Sequence, residues 1–174
     1  MTRYFLPEEL LTAILRHSAF VPQELILTYS RAFLRFFQGD YTSALYTLTP
    51  LLEASLRRFL KLNGHDVSIF DDAMQTQQDR TISSLFEQIR EELDAAFTKA
   101  ITTDIENVFL IRPGPHIRHD VAHGLLYDGA AYSPDAVYAC WLILRLCVLP
   151  LFPSLEQLRS ALQQGGFGLW QELD

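Results

Sequence analysis

The sequence is poor in cysteine, glycine, proline and charge. Its 174 residues include two cysteines, eight glycines, eight prolines and only 20% charged side chains. Cys140 and Cys147 cannot pair on one helix, because seven residues of helix rise about 10.5 Å and a disulfide needs Cα atoms within about 7 Å. The disulfide framework of a small secreted domain is therefore absent. Because 49% of the residues are apolar, general disorder is excluded as well.

A long uninterrupted apolar run is also missing. The first residues show no cationic segment followed by an apolar stretch, so we expect no signal peptide. The most apolar stretch, residues 137–152, is interrupted by Arg145 and Pro150 and falls short of the roughly 20 residues that span a bilayer. Together with the lack of a CxxC or zinc-finger pattern, these features predict a cytoplasmic protein with no membrane span.

Positive charge is scarce. Fourteen lysines and arginines face 21 aspartates and glutamates, which gives a net charge of −7. A uniformly negative surface would repel nucleic acid, because phosphate contacts supply most non-specific affinity. All but two of the basic residues are arginine, whose guanidinium suits bidentate contacts to phosphate or carboxylate. Any anion site must therefore depend on a local cluster of basic side chains.

Apolar residues recur at helical spacing through nearly the whole chain. This pattern predicts helices over residues 7–17, 22–38, 40–63, 79–97, 99–110, 116–126, 133–149 and 154–164. Asp40 and Ser133 are the predicted N-caps of the helices over residues 40–63 and 133–149, and Pro50 predicts a kink or break near residues 46–49. Residues 65–78 are predicted to form a loop. Without strand alternation, the expected fold class is all-α, a bundle of about six to eight helices with no significant sheet.

The most distinctive stretch is residues 114–124, which contains three of the five histidines. In one interpretation, Arg118 holds a phosphodiester and His123 transfers a proton. The two residues are five apart, about 140° around an ideal helix. They would therefore converge only at a cleft edge, in a distorted turn or across a dimer axis.

Two other interpretations of this stretch stay open. His116, His119 and His123 are spaced i, i+3, i+7, which places them on one helical face, and with the adjacent Asp120 they form a set that zinc accepts. Alternatively, the stretch is an ordinary polar helix start. In that case His116 caps the helix and Asp120 interacts favourably with its dipole.

Residues 118–124 resemble the R-x4-6-H motif of the HEPN superfamily, named for higher eukaryotes and prokaryotes nucleotide-binding. Arg118 and His123 match the arginine and the histidine, and His119 is the polar residue usual after the arginine. The wider pattern resembles that of a bacterial HEPN-like family in which asparagine is usual where His116 and His119 stand. The matching positions are residues 39–41, 44–45, 50–53, 57, 114–125 and 141–147.

The resemblance implies a helical bundle that dimerises and brings two motifs to one cleft. Active members cleave RNA without metal or other cofactor, leaving a 2′,3′-cyclic phosphate and a 5′-hydroxyl. Arg118 would then grip the scissile phosphate and His123 would act as general acid/base. The remaining expected site residues are His119, Glu53 and Asp120 as supporting groups, and Arg112, His116, Arg57 and Arg58 as RNA or phosphate contacts.

The resemblance also divides the expected single domain, residues 1–174, into three parts. Residues 1–38 form an N-terminal helical pair, residues 39–149 the HEPN-like core, and residues 150–174 a C-terminal helix and tail. Such proteins serve as toxins, phage-defence effectors or RNA-processing factors. The expected partners are therefore RNA or a nucleotide, a second copy of the chain, and an antitoxin or other protein, without a membrane.

Several alternatives remain for function and for single residues. A catalytically inactive module that binds RNA, nucleotide or protein is the main alternative, and a His-rich metal-binding bundle is the next. Glu53 and Arg57 also fit an ordinary i, i+4 ion pair. Arg145 is either a solvated residue or part of a dimer interface. Tyr127 either stacks on a base or belongs to a turn or the core.

Overall fold

The computed structural model describes residues 6–65, 68–71, 76–79, 81–88, 90–111 and 113–167. Over these residues the chain folds as an all-α bundle, which confirms the predicted fold class. The helices of the first half are α1 (Glu8–Leu15), α2 (Ile26–Phe37, preceded by a 3₁₀ turn, Gln23–Leu25), α3 (Tyr41–Leu62), α4 (Ile82–Gln88) and α5 (Arg90–Phe97). The helices of the second half are α6 (Lys99–Ile105), α7 (Ile117–Ala122), α8 (Pro134–Val148) and α9 (Leu155–Gln164).

The long helix α3 organises the bundle. The Asp40 carboxylate caps it by accepting a hydrogen bond from the Ser43 N–H at 3.1 Å, as predicted. One face of α3 is buried against α2, α7 and α8. The core residues on that face are each at most 3% exposed: Ala44, Leu45, Leu48, Leu52, Leu56 and Leu60. The helix therefore gains most of its stability from tertiary packing rather than from intrinsic propensity.

Of the kink or break predicted near residues 46–49, the break does not occur, because α3 continues through Pro50 to Leu62. Proline removes one backbone donor, so the Tyr46 carbonyl has no i+4 partner. That loss falls on the exposed side of the helix, where Pro50 itself lies. The buried side keeps its contacts, which outweigh the one missing hydrogen bond.

The segment predicted as a loop contains a short antiparallel pair of strands. Strands β1 (Ser68–Asp71) and β2 (Thr76–Asp79) pair with Ser68 opposite Asp79 and Asp71 opposite Thr76. Neither strand shows the alternation of apolar and polar residues that identifies strands in a sequence, so the pattern could not reveal them. Since a pair of four-residue strands is a minor element, the all-α class is unaffected.

Helix α8 forms a central wall of the core. Five of its residues are fully buried: Ala139, Cys140, Leu142, Ile143 and Cys147. Both cysteines are free thiols, and burial raises the pKa of Cys140 to about 12. The helical run 134–164 is long and apolar enough, by length and composition alone, to cross a membrane, and 44% of its apolar window is buried inside the protein. Buried core helices of soluble proteins pass the same test.

The start of α8 supports a stability prediction. Ser133 Oγ accepts a hydrogen bond from the Ala136 N–H at 3.2 Å, whereas Ser154, which precedes α9, makes no capping hydrogen bond. We expect Ser133→Ala to lower the free energy of unfolding by about 1 kcal/mol, because an N-cap is lost. Urea denaturation measures this change. Ser154→Ala is the matched control, and an equal loss in the two variants would contradict the assignment of the cap.

Candidate functional site

The approach to α7 is set by an unusual backbone. Helix α6 continues as a π-helical turn, Glu106–Leu110, and the chain then turns at residues 113–115. Gly114 lies so close to this turn that an added Cβ would be 1.9 Å from the Asn107 carbonyl oxygen, so no larger residue fits without movement. His116 follows in the left-handed region with φ 52°. These three features direct α7 toward α3.

A carboxylate on α3 joins two arginines at the contact between α3 and α7. Glu53 Oε2 accepts a hydrogen bond from Arg118 Nε at 3.1 Å. The other oxygen, Oε1, accepts from Arg57 Nη2 at 2.8 Å and from Arg57 Nε at 3.3 Å. The structure therefore brings together three of the residues predicted for the site, including a contact across 65 positions of sequence.

The environment of this cluster favours its charged state. The side chains of Arg57, Glu53 and Arg118 are 16%, 23% and 33% exposed. Burial by itself would raise the pKa of Glu53, but the hydrogen bonds and positive charges of Arg57 and Arg118 outweigh it and hold the pKa below its usual value. Glu53 is therefore an anion at neutral pH and acts as a fixed anchor for Arg118.

The three motif histidines form a row along α7. The rings of His116 and His119 are stacked, with centroids 4.8 Å apart and planes at 10°, and the centroids of His119 and His123 are 4.4 Å apart. Lone pairs of ring nitrogens lie in the ring plane, so stacked rings do not converge on one ion. Within the described ranges, no group of three or more His, Cys, Asp or Glu side chains is arranged to hold a metal.

His116 does not cap α7 through its side chain. Its left-handed backbone lies at the N-cap position, and its carbonyl accepts from the backbone N–H groups of His119 and Asp120. The ring nitrogen Nδ1 is buried and has no hydrogen-bond partner in the described part of the chain. His116 therefore occupies the N-cap position, as one interpretation of the sequence expected, but its ring packs on His119 rather than making a capping hydrogen bond.

A groove between α3 and α7 borders the Glu53–Arg118 pair. Its volume is about 270 Å³. The α3 side is lined by Tyr46, Thr49, Pro50 and Glu53, and the α7 side by Arg118, Val121 and Ala122. Of the two motif residues, Arg118 lines this groove, whereas His123 follows the lining residue Ala122 in sequence and is not itself among the lining residues. It combines apolar walls with one arginine and one carboxylate.

Other predicted site residues lie elsewhere or act only through the backbone. Arg58 Nη1 donates to the Ala19 carbonyl at 3.1 Å, because adjacent helical residues point about 100° apart and Arg57 already faces Glu53. Arg58 is therefore directed away from the Glu53–Arg118 cluster. The Asp120 carbonyl accepts from the Leu125 N–H at 2.8 Å and helps to end α7. Arg112 lies outside the described residues.

Tyr46 and Thr49 were missed by the sequence-based prediction. With Glu53 they are spaced i, i+3, i+7, so they share one face of α3. That spacing was the available signal, but Thr49 lies within an otherwise apolar run. Tyr127, the tyrosine that followed the motif, is 77% exposed and does not line the groove.

A second, larger cavity lies apart from the motif. It has a volume of about 510 Å³, and Arg145 is the only charged residue among those lining it. The Arg145 guanidinium carbon lies 5.7 Å from the ring centroid of Trp141, a cation–π contact. Arg145 is thus half-buried and packed on an aromatic ring of its own helix.

Comparisons with family models, curated proteins and solved structures find no match for this chain. The resemblance to the HEPN superfamily consequently depends on the motif and its context alone. What the described structure adds is an all-α bundle in which the motif arginine contacts the predicted acidic residue of the long helix.

The pKa of Glu53 generates a pH-dependent prediction. Because this pKa is lower in the folded state, the stability it contributes is present above the unfolded pKa and is lost as the pH falls through the folded pKa. We expect Glu53→Gln to cost about 1–3 kcal/mol of unfolding free energy at pH 7, since charged hydrogen bonds are lost. The difference from wild type should shrink below about pH 4.

Glu8→Gln is the matched control for this prediction. Glu8 pairs with Arg31 at 3.0 Å, but the side chains are 32% and 67% exposed, and exposed pairs contribute about 1 kcal/mol at most. Urea denaturation from pH 3 to pH 8 compares the two variants. Equal losses in both, or a cost of Glu53→Gln that does not vary with pH, would contradict the anchor role of Glu53.

Proposed function

We propose that this chain is an HEPN-like, metal-independent endoribonuclease of the toxin, defence or RNA-processing type. The observation that supports it best is the position of Arg118, which Glu53 anchors at a groove that also adjoins the residue before His123. The phosphate would bind at Arg118 and the proton transfers would involve His123. The protein would act in the cytoplasm.

Arg118 has hydrogen-bonding capacity left for a phosphate. Its Nε is bound to Glu53, whereas Nη1 and Nη2 make no hydrogen bond within the described ranges. A guanidinium presents its donors in a fixed fork that matches two phosphate oxygens. Such a preorganised cation stabilises charge that develops on the phosphate in the transition state. The net charge of −7 is compatible with phosphate binding at Arg118, because positive potential is needed only where the phosphate lies.

The reaction requires no nucleophile from the protein. The RNA 2′-hydroxyl attacks the adjacent phosphorus, the bond from phosphorus to the 5′-oxygen breaks, and the products are a 2′,3′-cyclic phosphate and a 5′-hydroxyl. The 2′-hydroxyl proton goes to a base, and the departing 5′-oxygen takes a proton from an acid. His123 is exposed and follows Ala122 of the groove, a position suited to either transfer. His119 would support His123 through their ring contact.

Dimerisation would complete this site. Arg118 and His123 make no hydrogen bond to each other within the described residues of one chain. Arg118 contacts α3, whereas His123 stacks beside His119. A homodimer that juxtaposes two motifs would supply one histidine as base and another as acid. We therefore propose the homodimer as the active form, with an antitoxin or other protein as a further partner.

An inactive RNA- or nucleotide-binding module is the second candidate. The separation of Arg118 from His123 within one chain favours it, because the phosphate contact of Arg118 does not depend on His123. In this case the groove would bind the same ligand without turnover. Cleavage assays separate the two candidates directly.

Substitution of the motif tests the proposal. With chelator present, we expect Arg118→Ala to lower the RNA cleavage rate by about 10²–10³-fold, since a transition-state donor is lost. For His123→Ala we expect a loss of about 10²–10⁴-fold, since proton transfer is lost. The assay measures initial rates on single-stranded RNA and identifies the product ends.

Arg58→Ala is the matched control, because this arginine lies in the same helix but is directed to Ala19. It should retain cleavage, and products should carry 2′,3′-cyclic phosphates. Cleavage that persists in both Arg118→Ala and His123→Ala would contradict the catalytic roles of Arg118 and His123. If RNA stays intact with the wild-type protein but raises the melting temperature of the protein, the binding module is favoured.

A further inference from the structure

We propose that the groove beside Arg118 is a nucleobase subsite, in which Tyr46 stacks on the base and Thr49 binds its edge. This inference takes its ligand class, a nucleotide within RNA, from the proposed function. It adds two residues of α3 that the R-x4-6-H motif does not include. The subsite would determine which base is bound next to the phosphate that Arg118 holds.

Tyr46 supplies an aromatic face at the groove. The residue is 37% exposed although it belongs to the central helix of the bundle, and it lines the groove together with Pro50. Stacking on an aromatic side chain stabilises a bound base regardless of its identity. Val121 and Ala122 form the opposite, apolar wall, so a flat ring would have a surface on both sides.

Thr49 supplies a hydroxyl group that makes no hydrogen bond in the described part of the chain. The residue is 3% exposed, and its Oγ1 is buried without a hydrogen-bond partner in the described part of the chain. A buried hydroxyl without a partner costs free energy, so such groups are uncommon in native structures. Thr49 is one of the residues that line the groove, so a base edge that reaches its hydroxyl would provide the missing partner as either donor or acceptor.

The composition of the groove fits a nucleotide better than an inorganic anion. A free phosphate would use Arg118 but would gain nothing from the walls formed by Tyr46, Pro50, Val121 and Ala122. A base linked to a phosphate uses the apolar walls, the hydroxyl and the guanidinium together. The volume, about 270 Å³, is just below the roughly 300–1,000 Å³ of pockets for drug-sized ligands, so it suits a single base rather than a peptide.

Nucleotide affinity tests the subsite without requiring cleavage. Calorimetry compares the four nucleoside 5′-monophosphates with ribose 5-phosphate, which carries the phosphate but no base. We expect Tyr46→Ala to weaken nucleotide binding by about 5–100-fold, as loss of one stacking contact does, and to leave ribose 5-phosphate binding unchanged. Tyr46→Phe should bind as wild type does.

Tyr127→Ala is the matched control, because Tyr127 is more exposed than Tyr46 but does not line the groove. It should leave nucleotide affinity unchanged. If Tyr46→Ala and Tyr127→Ala bind nucleotides equally well, the stacking role of Tyr46 is overturned. If wild type binds ribose 5-phosphate as tightly as the monophosphates, the subsite itself is overturned.

Thr49→Val tests the edge contact. Valine keeps the shape of threonine but removes the hydroxyl, so the fold should be retained and the unpartnered group removed. We expect the ranking of the four monophosphates to change by at least about fivefold, as the loss of one hydrogen bond allows, whereas Thr49→Ser preserves the ranking. An unchanged ranking in Thr49→Val would overturn the edge contact.

These outcomes separate the subsite from catalysis. Base-dependent binding that Tyr46→Ala weakens would support the subsite even if RNA stays intact. Cleavage that requires Arg118 but is indifferent to Tyr46 and Thr49 would support the nuclease and overturn the subsite. If the nuclease and the nucleobase subsite were both wrong, RNA would stay intact and no nucleoside monophosphate would bind.

Discussion

The candidate site depends on one carboxylate. Glu53 accepts hydrogen bonds from Arg57 in its own helix and from Arg118 in α7, so a long, well-packed helix holds a short one. Helix α7 has six residues and one fully buried apolar side chain, Ile117, and needs such an anchor. Because the two guanidinium charges keep Glu53 ionised, the anchor is strong at neutral pH. Arg118 is thereby preorganised for an anionic ligand.

The backbone conformation before α7 places this helix next to Glu53. Three irregular features set the direction of the chain before α7. They are the π-helical turn, the close approach of Gly114 to Asn107 and the left-handed backbone of His116. Strained or irregular backbone of this kind concentrates at functional sites, where the surrounding structure holds it in place. The groove beside Arg118 is the result. Its walls come from α3 and α7, and its polar groups are the anchored arginine and the Thr49 hydroxyl.

Local chemistry made much of the fold predictable. Apolar periodicity revealed the helices, and the caps at Asp40 and Ser133 were identified from residue type alone. A supporting role for Glu53 was expected from family resemblance, but its contact with Arg118 could not be read from spacing, because the two residues are 65 positions apart. Tertiary packing decided the rest: it carried α3 through Pro50 and directed Arg58 away from the site. Neither effect is visible in a window of sequence.

The most direct measurement is a double-mutant cycle between Glu53 and Arg118. Urea unfolding at pH 7 gives the free energies of wild type, Glu53→Gln, Arg118→Gln and the double variant. If Glu53 anchors Arg118, the two substitutions are non-additive, with a coupling free energy of about 1 kcal/mol or more. Additivity within about 0.3 kcal/mol would mean that the two side chains do not stabilise each other. Glu53 would then not hold Arg118 in place for a phosphate.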